Sequence, residues 1–355
     1  MGGEPADRNS GNMRLLSLIA IVLAVASAAH AKTPAWTAPL TRDGVPDLQG
    51  VWTNASITTL TRPRWVTKLV FSPAEAAAFI KADPLLRHMN SDAAPSDPTR
   101  GAPAAGNDPG GYNAFWLDPG SNLGLVDGQY RTSWIVDTPD GQLPLSAQGK
   151  ALVAQADAFA HRADTPTGPE DLEPWDRCLI ASRGSGGPGM LNNLYNSNYE
   201  IVQTRNTVAI MVEMIHDVRL IPLFPGKAAA QAGHHPAAIQ PWLGDSVGWW
   251  EGDTLVVETT QVNAEQGRAG PLYLTPQGRV TERFRRVSAQ EIFYAFEVDD
   301  PAYYSHPWHA EMPLTSAKGQ IYEYACHEGN YAMSDILAGT RAAEKPAASA
   351  VAAAR

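Results

Sequence analysis

Cysteine is scarce in this sequence: Cys178 and Cys326 are the only two among its 355 residues. No CxxC spacing is present, so a cysteine-rich structural zinc site is not indicated. Outside the cytoplasm, two lone cysteines far apart in sequence most simply pair with each other, and we expect them to form a disulfide. The alternative is a metal site in which Cys326 and the adjacent His327 are ligands.

Motifs of common cofactor enzymes are also missing. The glycine-rich stretch 184–189 is followed by no Lys-Ser/Thr pair and opens no helical pattern, so a phosphate loop is not predicted. No GxGxxG follows a predicted strand, which gives NAD and flavin no support. Ser246 lacks the GxSxG context of a hydrolase elbow, and residues 213–217 (EMIHD) lack the second histidine of HExxH. No cofactor is predicted, and a divalent metal bound by His216, His327 and a carboxylate is the open alternative.

Long hydrophobic runs are absent. The longest, residues 15–29, falls short of the roughly 20 residues that span a membrane. Arg14 precedes this run and Ala29-His30-Ala31 follows it, which is the pattern of a secretory signal peptide. The sequence therefore predicts a signal peptide over residues 1–31 and a periplasmic or secreted protein without a membrane span.

Positive charge is in the minority, with 27 Lys and Arg against 37 Asp and Glu and a formal net charge of −10. Such an acidic surface repels nucleic acid and anionic lipid. A nucleic-acid partner is therefore excluded, and we expect a small-molecule ligand.

Residues 32–198 are predicted to form an extended and helical region. Ser72, Pro73 and Glu75 have the spacing of a capped helix start, and apolar residues at helical spacing predict a second helix over 147–162. Residues 132–136 and 142–145, separated by turn residues, predict a hairpin. Residues 83–111 are dense in Pro, Ala, Gly and Asp and indicate a flexible surface loop.

From residue 199 the pattern changes to short β segments separated by polar turns. They are residues 199–203, 208–214, 218–223, 247–250, 254–260, 279–287, 291–298, 309–315 and 320–327. No helical pattern separates them, so neighbours pair antiparallel, and a meander of this length buries its edges by closing. We predict a mainly β fold, with a lipocalin-like barrel over 199–341, a jelly-roll-like sandwich as the alternative, and a disordered tail over 342–355.

Alternation along these strands puts acids on apolar faces. Glu213 shares a face with Met211, and Glu282 shares one with Val280 and Phe284. An acid in such a position either lines a polar cavity or forms a buried ion pair with a nearby arginine.

We predict that these acids form an acid–base site at one end of the barrel. Histidine carries protons near neutral pH, burial raises carboxylate pKa values, and arginine can hold an anionic intermediate. The predicted catalytic residues are Glu213, His216, Arg219, Glu282, Glu323 and His327. The predicted substrate-binding residues are Trp250 and Trp308 as walls, and Tyr112 and Trp116 in a lid formed with loop 83–111. The loop residues His234 and His235 either contact a ligand or are solvated, and the second interpretation is favoured because a loop histidine needs no partner.

Two classes of function fit these residues. The first is a periplasmic lyase, isomerase or hydrolase that acts on a small aromatic, terpenoid or sugar-derived compound by acid–base chemistry. The second is a barrel that binds such a compound without turnover, with the buried charges as structural ion pairs. Ionisable residues on strand faces are costly unless they are paired or used, which favours the enzyme.

Several words of the sequence resemble those of a family of exported proteins from soil and freshwater bacteria. The words are PDLQGVW (46–52), YEIVQ (199–203), EMIHDVR (213–219), WLGDS (242–246), WEGDTLVV (250–257) and YEYACHEGNY (322–331). That family is known chiefly as uncharacterised. The resemblance spans nearly the whole mature chain and implies a single exported fold but no particular reaction.

Overall fold

Alternating buried and exposed side chains build most of the chain into strands. The computed structural model describes residues 1–3, 36–92, 117–181, 184–329 and 331–353. Residues 38–355 form one compact unit and residues 1–37 another. The predicted signal peptide, beyond residues 1–3, lies outside the described residues, as do Tyr112 and Trp116.

Twelve strands are present in the described part of the chain. They are β1 (Gly50–Thr53), β2 (Val70–Phe71), β3 (Leu125–Val126), β4 (Gln129–Arg131), β5 (Asn198–Gln203), β6 (Thr207–Val212), β7 (Val218–Pro222), β8 (Asp245–Glu251), β9 (Thr254–Thr260), β10 (Arg279–Arg286), β11 (Glu291–Asp299) and β12 (Trp308–Ser316). The short strands β2, β4 and β3 form a separate small sheet.

Six α-helices accompany the strands in the described ranges. They are α1 (Pro73–Ala82), α2 (Pro84–Asp92), α3 (Ala147–Ala160), α4 (Lys227–Ala232), α5 (Ala264–Arg268) and α6 (Ala332–Ala353). The predicted start of α1 is confirmed, because the Glu75 backbone N–H donates to Ser72 Oγ and the Ser72 N–H donates to Glu75 Oε2. The predicted helix over 147–162 is confirmed as α3 and a following 3₁₀ turn. None of the described helices is long and apolar enough to cross a membrane.

The other nine strands form one sheet that closes almost completely into a barrel. Its order is β7-β6-β5-β1-β12-β11-β10-β9-β8, and every hydrogen-bonded pair of neighbours is antiparallel. The two outer strands meet through a parallel bridge between Leu223 and Gly248. A Cβ at Gly248 would lie 2.9 Å from Ile221 Cγ2, so the close approach requires glycine. The predicted antiparallel barrel is confirmed.

The ninth barrel strand differs from the sequence prediction. Residues 320–327 form no strand and lie largely exposed. Their expected neighbour, β12, is already paired with β11 on one side and on the other with β1, where Trp52 lies opposite Ser316. The barrel therefore takes β1 from the region that the sequence analysis placed before it.

Three other local predictions differ from the structure. Residues 132–136 and 142–145 do not pair with each other. Ile135 bridges Ala310 on the part of β12 that β1 leaves uncovered, where the strand edge needs hydrogen-bond partners, and Leu145 bridges Tyr304. The predicted loop 83–111 begins with helix α2, and its residues 93–111 lie outside the described residues. Helix α6 extends into the predicted disordered tail, because alanine has the highest helix propensity.

The interior of the barrel is filled. Its largest fully buried side chains include Trp52, Tyr199, Phe284, Tyr294 and Trp308. The glycine-rich segment 184–191 also enters the interior and contacts inward-facing side chains.

Backbone groups of segment 184–191 bond to the barrel. Tyr199 Oη donates to Ser185 O at 3.0 Å, and Gly189 N donates to Glu282 Oε1 at 3.3 Å. Gly187 has φ +90°, and a Cβ there would lie 2.6 Å from Arg219 Nη1, so this position also requires glycine. The segment fills the space that a ligand occupies in a hollow barrel.

A buried ion pair crosses the interior between β7 and β10. Arg219 Nη1 donates to Glu282 Oε1 at 3.0 Å, and Nη2 donates to Glu282 Oε2. Tyr294 Oη donates to Glu282 Oε1 at 2.6 Å, and Arg219 Nη2 also reaches Thr259 Oγ1 at 3.2 Å. Both charged side chains are 1% exposed or less, so each charge depends on these partners.

Removal of one partner of this pair should destabilise the protein strongly. We expect Arg219→Met to lower the free energy of unfolding by about 3 to 5 kcal/mol, because Glu282 becomes an uncompensated buried charge. Urea unfolding followed by tryptophan fluorescence measures the loss. The control is Arg283→Met, which removes an exposed pair with Glu251 and should cost about 1 kcal/mol or less. Equal losses in the two variants would contradict the prediction.

The predicted disulfide between Cys178 and Cys326 is present, with a Cα–Cα distance of 5.9 Å and a sequence separation of 148. It holds the exposed segment 320–328 against the part of the chain that precedes segment 184–191. Residues 320–327 pair with no strand, so the disulfide is what attaches this segment covalently to the rest of the fold.

Loss of the disulfide should lower the stability of the protein, because the unfolded chain gains conformational entropy without the cross-link. We expect the Cys178→Ser/Cys326→Ser double variant to lose about 5 kcal/mol of unfolding free energy, as the chain-entropy model gives for so long a loop. Urea titrations with and without a thiol reductant measure this. The reductant should lower the midpoint of the wild-type protein and leave the double variant unchanged. A wild-type midpoint that the reductant does not move would argue against the prediction.

Candidate active site

The structure separates the six predicted catalytic residues into three places. Arg219 and Glu282 meet in the buried pair described above. Glu213 lies in the turn between β6 and β7, where Asn198 Nδ2 donates to its Oε2 at 2.7 Å. Since these charged groups have protein partners, their positions are explained by structure without catalysis.

The remaining three, His216, Glu323 and His327, line a cavity of about 340 Å³ beside the disulfide. We call it the disulfide pocket. The His216 backbone has φ +54°, in the left-handed region, and its Nε2 accepts a hydrogen bond from Tyr324 N at 2.8 Å. Glu323 and His327 are exposed on the segment that the disulfide holds. The prediction that these three side chains lie close together is consistent with this cavity.

The two described tryptophans predicted as walls differ in exposure. Trp308 is fully buried in the barrel core, where its ring meets Phe296 and Tyr304 edge-on. It therefore packs the core and borders no open site. Trp250 is partly buried and packs against the same core.

A larger pocket lies at the end of the barrel where β7 and β8 begin. Its cavity volume is about 510 Å³. We call it the crossover pocket, because one wall comes from residues 223–244, which connect β7 to β8. Its lining residues are Leu179, Asp217, Val218, Arg219, Leu220, His235, Ile239, Pro241, Trp242, Leu243, Gly244, Asp245 and Ser246.

The connection packs on the outside of the barrel before it reaches this pocket. Ala230 of α4 packs against Val247, Trp249 and Val256 on the outer face of β8 and β9, with Phe224 alongside. These buried contacts fix the end of α4. They position the two histidines that follow it next to the start of β8.

Asp245, the first residue of β8, holds both histidines. His235 Nδ1 lies 2.7 Å from Asp245 Oδ1, and His235 N donates to Asp245 Oδ2 at 2.8 Å. His234 Nδ1 lies 2.7 Å from the same Oδ2. The expectation that these loop histidines have no partner is therefore wrong, because a carboxylate at the strand start bonds both of them.

The two histidines have different environments. The His234 side chain is 13% exposed, and its Nε2 lies 3.4 Å from Glu258 Oε1, so both of its ring nitrogens have partners. The His235 side chain is 60% exposed. Within the described ranges, no hydrogen bond to His235 Nε2 is found, and this nitrogen is open to a ligand.

Asp217 is a second carboxyl group in the lining of the crossover pocket, besides Asp245. Burial raises the pKa of its carboxyl group from 3.8 to about 6, although the Ala181 N–H donates to its Oδ2 at 2.6 Å and opposes the increase. Burial would also raise the pKa of Asp245, but the hydrogen bonds from His235 and His234 outweigh it and hold that pKa below its ordinary value. The pocket thus pairs a carboxyl group whose pKa is raised to about 6 with one whose pKa is lowered.

Four of the lining side chains are apolar and yet 40% to 66% exposed: Leu179, Val218, Leu220 and Ile239. We call them the apolar rim. Of the residues of this pocket, the sequence analysis predicted Arg219 as catalytic and left ligand contact open for His235. No local sequence pattern predicts the contact of His235 with Asp245, because it depends on the path of the connection between β7 and β8.

The comparisons with known proteins and the search for metal ligands were both negative. No protein-family model, no curated protein and no solved structure matches the chain. Over the described ranges, no group of three or more His, Cys, Asp or Glu side chains has the geometry of a metal site. The metal ligand set suggested by His216, His327 and a carboxylate stays a prediction.

Asp217→Asn and Asp245→Asn should change the stability at neutral pH in opposite directions. The pKa of Asp217 is raised on folding, so the wild-type protein loses stability as the pH rises from 3.8 to about 6. Asp217→Asn cannot ionise and should be more stable than wild type above that range, by on the order of 1 kcal/mol.

The pKa of Asp245 is lowered on folding, so its charge stabilises the protein above the ordinary carboxyl range. Asp245→Asn should therefore be less stable than wild type at neutral pH, and the difference should shrink in acid. Urea unfolding between pH 4 and pH 8 measures both variants. A change of the same sign in both at neutral pH would contradict the pKa assignments.

Proposed function

We propose that this chain is an exported enzyme that acts on a small molecule by acid–base chemistry in the crossover pocket. The observation that carries the proposal is the His235–Asp245 pair. A carboxylate that fixes one ring nitrogen of an exposed histidine leaves the other nitrogen oriented to take up a proton. The disulfide supports export, because such bonds persist in oxidising compartments.

In this proposal His235 and Asp217 have complementary roles. His235 Nε2 removes a proton from the substrate, and Asp245 stabilises the imidazolium that results. Asp217, whose pKa is raised to about 6, returns a proton to another atom of the substrate. The pKa values of Asp217 and Asp245 are moved in opposite directions by their surroundings, which is a recurring arrangement in acid–base enzymes.

The reaction classes that need such a pair are those of a lyase, an isomerase or a hydrolase. The substrates considered are small aromatic, terpenoid or sugar-derived compounds. Relative to the sequence prediction, the proton acceptor moves from His216 and His327 to His235. The reason is that His216 Nε2 already accepts a backbone hydrogen bond from Tyr324, whereas His235 Nε2 has none within the described ranges.

Binding without turnover is the second candidate function. The apolar rim favours it, since clustered exposed apolar side chains mark ligand or partner sites. The filled interior gives no support to a ligand held inside the barrel. Either function therefore uses the same pocket.

A panel of aryl esters, terpenoid lactones and uronate-containing oligosaccharides tests for turnover by the purified protein. We expect one class to react and His235→Asn to lower kcat by about 10²- to 10⁴-fold, as the loss of a general base does. KM should change less than kcat, because the apolar rim still contacts the substrate. The control is His306→Asn, at an exposed histidine whose Nδ1 contacts Pro307 O outside the pocket. Undiminished turnover by His235→Asn would refute the catalytic role.

A further inference from the structure

The crossover pocket separates apolar from polar surface by depth. The apolar rim stands at its mouth, and Leu220 is 66% exposed there. The carboxyl groups of Asp217 and Asp245 and the hydroxyl of Ser246 belong to residues that are half-buried or buried. A ligand that fits this arrangement is apolar over most of its length and polar at one end.

The charges of the pocket exclude a strongly anionic ligand. Of the described residues that line it, Arg219 alone is a lysine or arginine, and Glu282 takes both of its terminal nitrogens. Asp217 and Asp245 would repel a carboxylate or phosphate. At Asp245 a cationic head meets no unpaired carboxylate, because both oxygens already bond the two histidines. At Asp217 a cation would have to leave water beside a carboxyl group that already accepts a hydrogen bond from Ala181 N.

A sugar fits the pocket poorly. A sugar carries hydroxyl groups around its whole ring, and each one that leaves water without a partner costs free energy. The apolar rim offers such groups no hydrogen bonds. A compound with a single hydroxyl or carbonyl group needs a hydrogen-bond partner at one end only, and His235 Nε2 is open to it.

The volume of the pocket sets the size of the ligand. About 510 Å³ lies within the range of pockets that enclose most of a small organic molecule. A bicyclic aromatic or terpenoid skeleton fits this space and would cover the rim.

We propose that the substrate is an uncharged compound with a bicyclic-sized apolar body and one hydroxyl or carbonyl group, which binds with its body against the apolar rim and its polar group at His235. This inference rests on the proposed function and narrows its substrates to aromatic or terpenoid compounds.

Isothermal titration calorimetry with four probes tests the proposal on the full mature protein. The probes are 2-naphthol, 2-naphthoate, 2-naphthylmethylammonium and D-glucose, which vary the head group and then remove the apolar body. We expect 2-naphthol to bind at least about tenfold more tightly than the other three, because it alone combines an apolar body with an uncharged head group. Tighter binding of the carboxylate, the ammonium compound or glucose would overturn the proposal.

Two matched valine variants identify the rim as the binding surface. Val218 and Val202 both lie on outward faces of barrel strands, with exposures of 47% and 46%, but only Val218 lines the pocket. We expect Val218→Ser to weaken 2-naphthol binding about fivefold through lost apolar contact, and Val202→Ser to leave it unchanged. Equal effects of the two variants would overturn the proposal.

Sedimentation velocity distinguishes a ligand from a second copy of the chain. If the rim binds another copy, the protein dimerises, Val218→Ser abolishes the dimer, and 2-naphthol does not bind the monomer, which overturns the proposal. A monomer that binds 2-naphthol at the rim supports it.

The calorimetry does not depend on turnover, so the two proposals can fail separately. Rim-dependent binding of 2-naphthol together with full turnover by His235→Asn would retain the ligand class and reject the catalytic role. Loss of turnover in His235→Asn, with a substrate KM that Val218→Ser leaves unchanged, would reject the ligand class alone.

Discussion

The crossover pocket depends on the odd number of strands, nine, with which the barrel closes. In a ring of strands that alternate in direction, an odd number leaves one neighbouring pair parallel, and here the pair is β7 and β8. Parallel neighbours cannot be joined by a hairpin, so residues 223–244 must return along the outside of the barrel. That connection carries His235 and part of the apolar rim, and it ends at Asp245. The crossover pocket is thus a consequence of how the sheet closes.

Arg219 links the core of the barrel to this pocket. Its guanidinium group is neutralised by Glu282 inside the barrel, and the same residue contributes to the lining of the pocket. The glycine-rich segment completes the arrangement, because Gly187 allows the backbone to lie against the guanidinium group. The pocket therefore has a polar base without a free positive charge, which distinguishes it from a site built for anions.

Local sequence patterns predict most of the strands, because alternation and turn residues are properties of neighbouring positions. They fail at residues 320–327, since pairing there depends on which strand edges are free, and β1 already covers β12. Alternation also indicates that Glu282 faces inward, and a nearby arginine was its expected partner. The contact of His235 with Asp245 has no local signal, because it depends on the path of the connection on which α4 lies. Both histidines lie in a loop, as predicted, but both bond Asp245, which was not predicted.

The position of β1 has a consequence for how the chain acquires its fold. Residues 50–53 pair on one side with residues 198–201 and on the other with residues 315–316. A chain that emerges from its N-terminus, whether from a ribosome or through a translocation pore, cannot complete the ring until nearly all of it has emerged. Such long-range pairing makes folding slow. The topology thus delays closure of the barrel until its last strand, β12, has emerged.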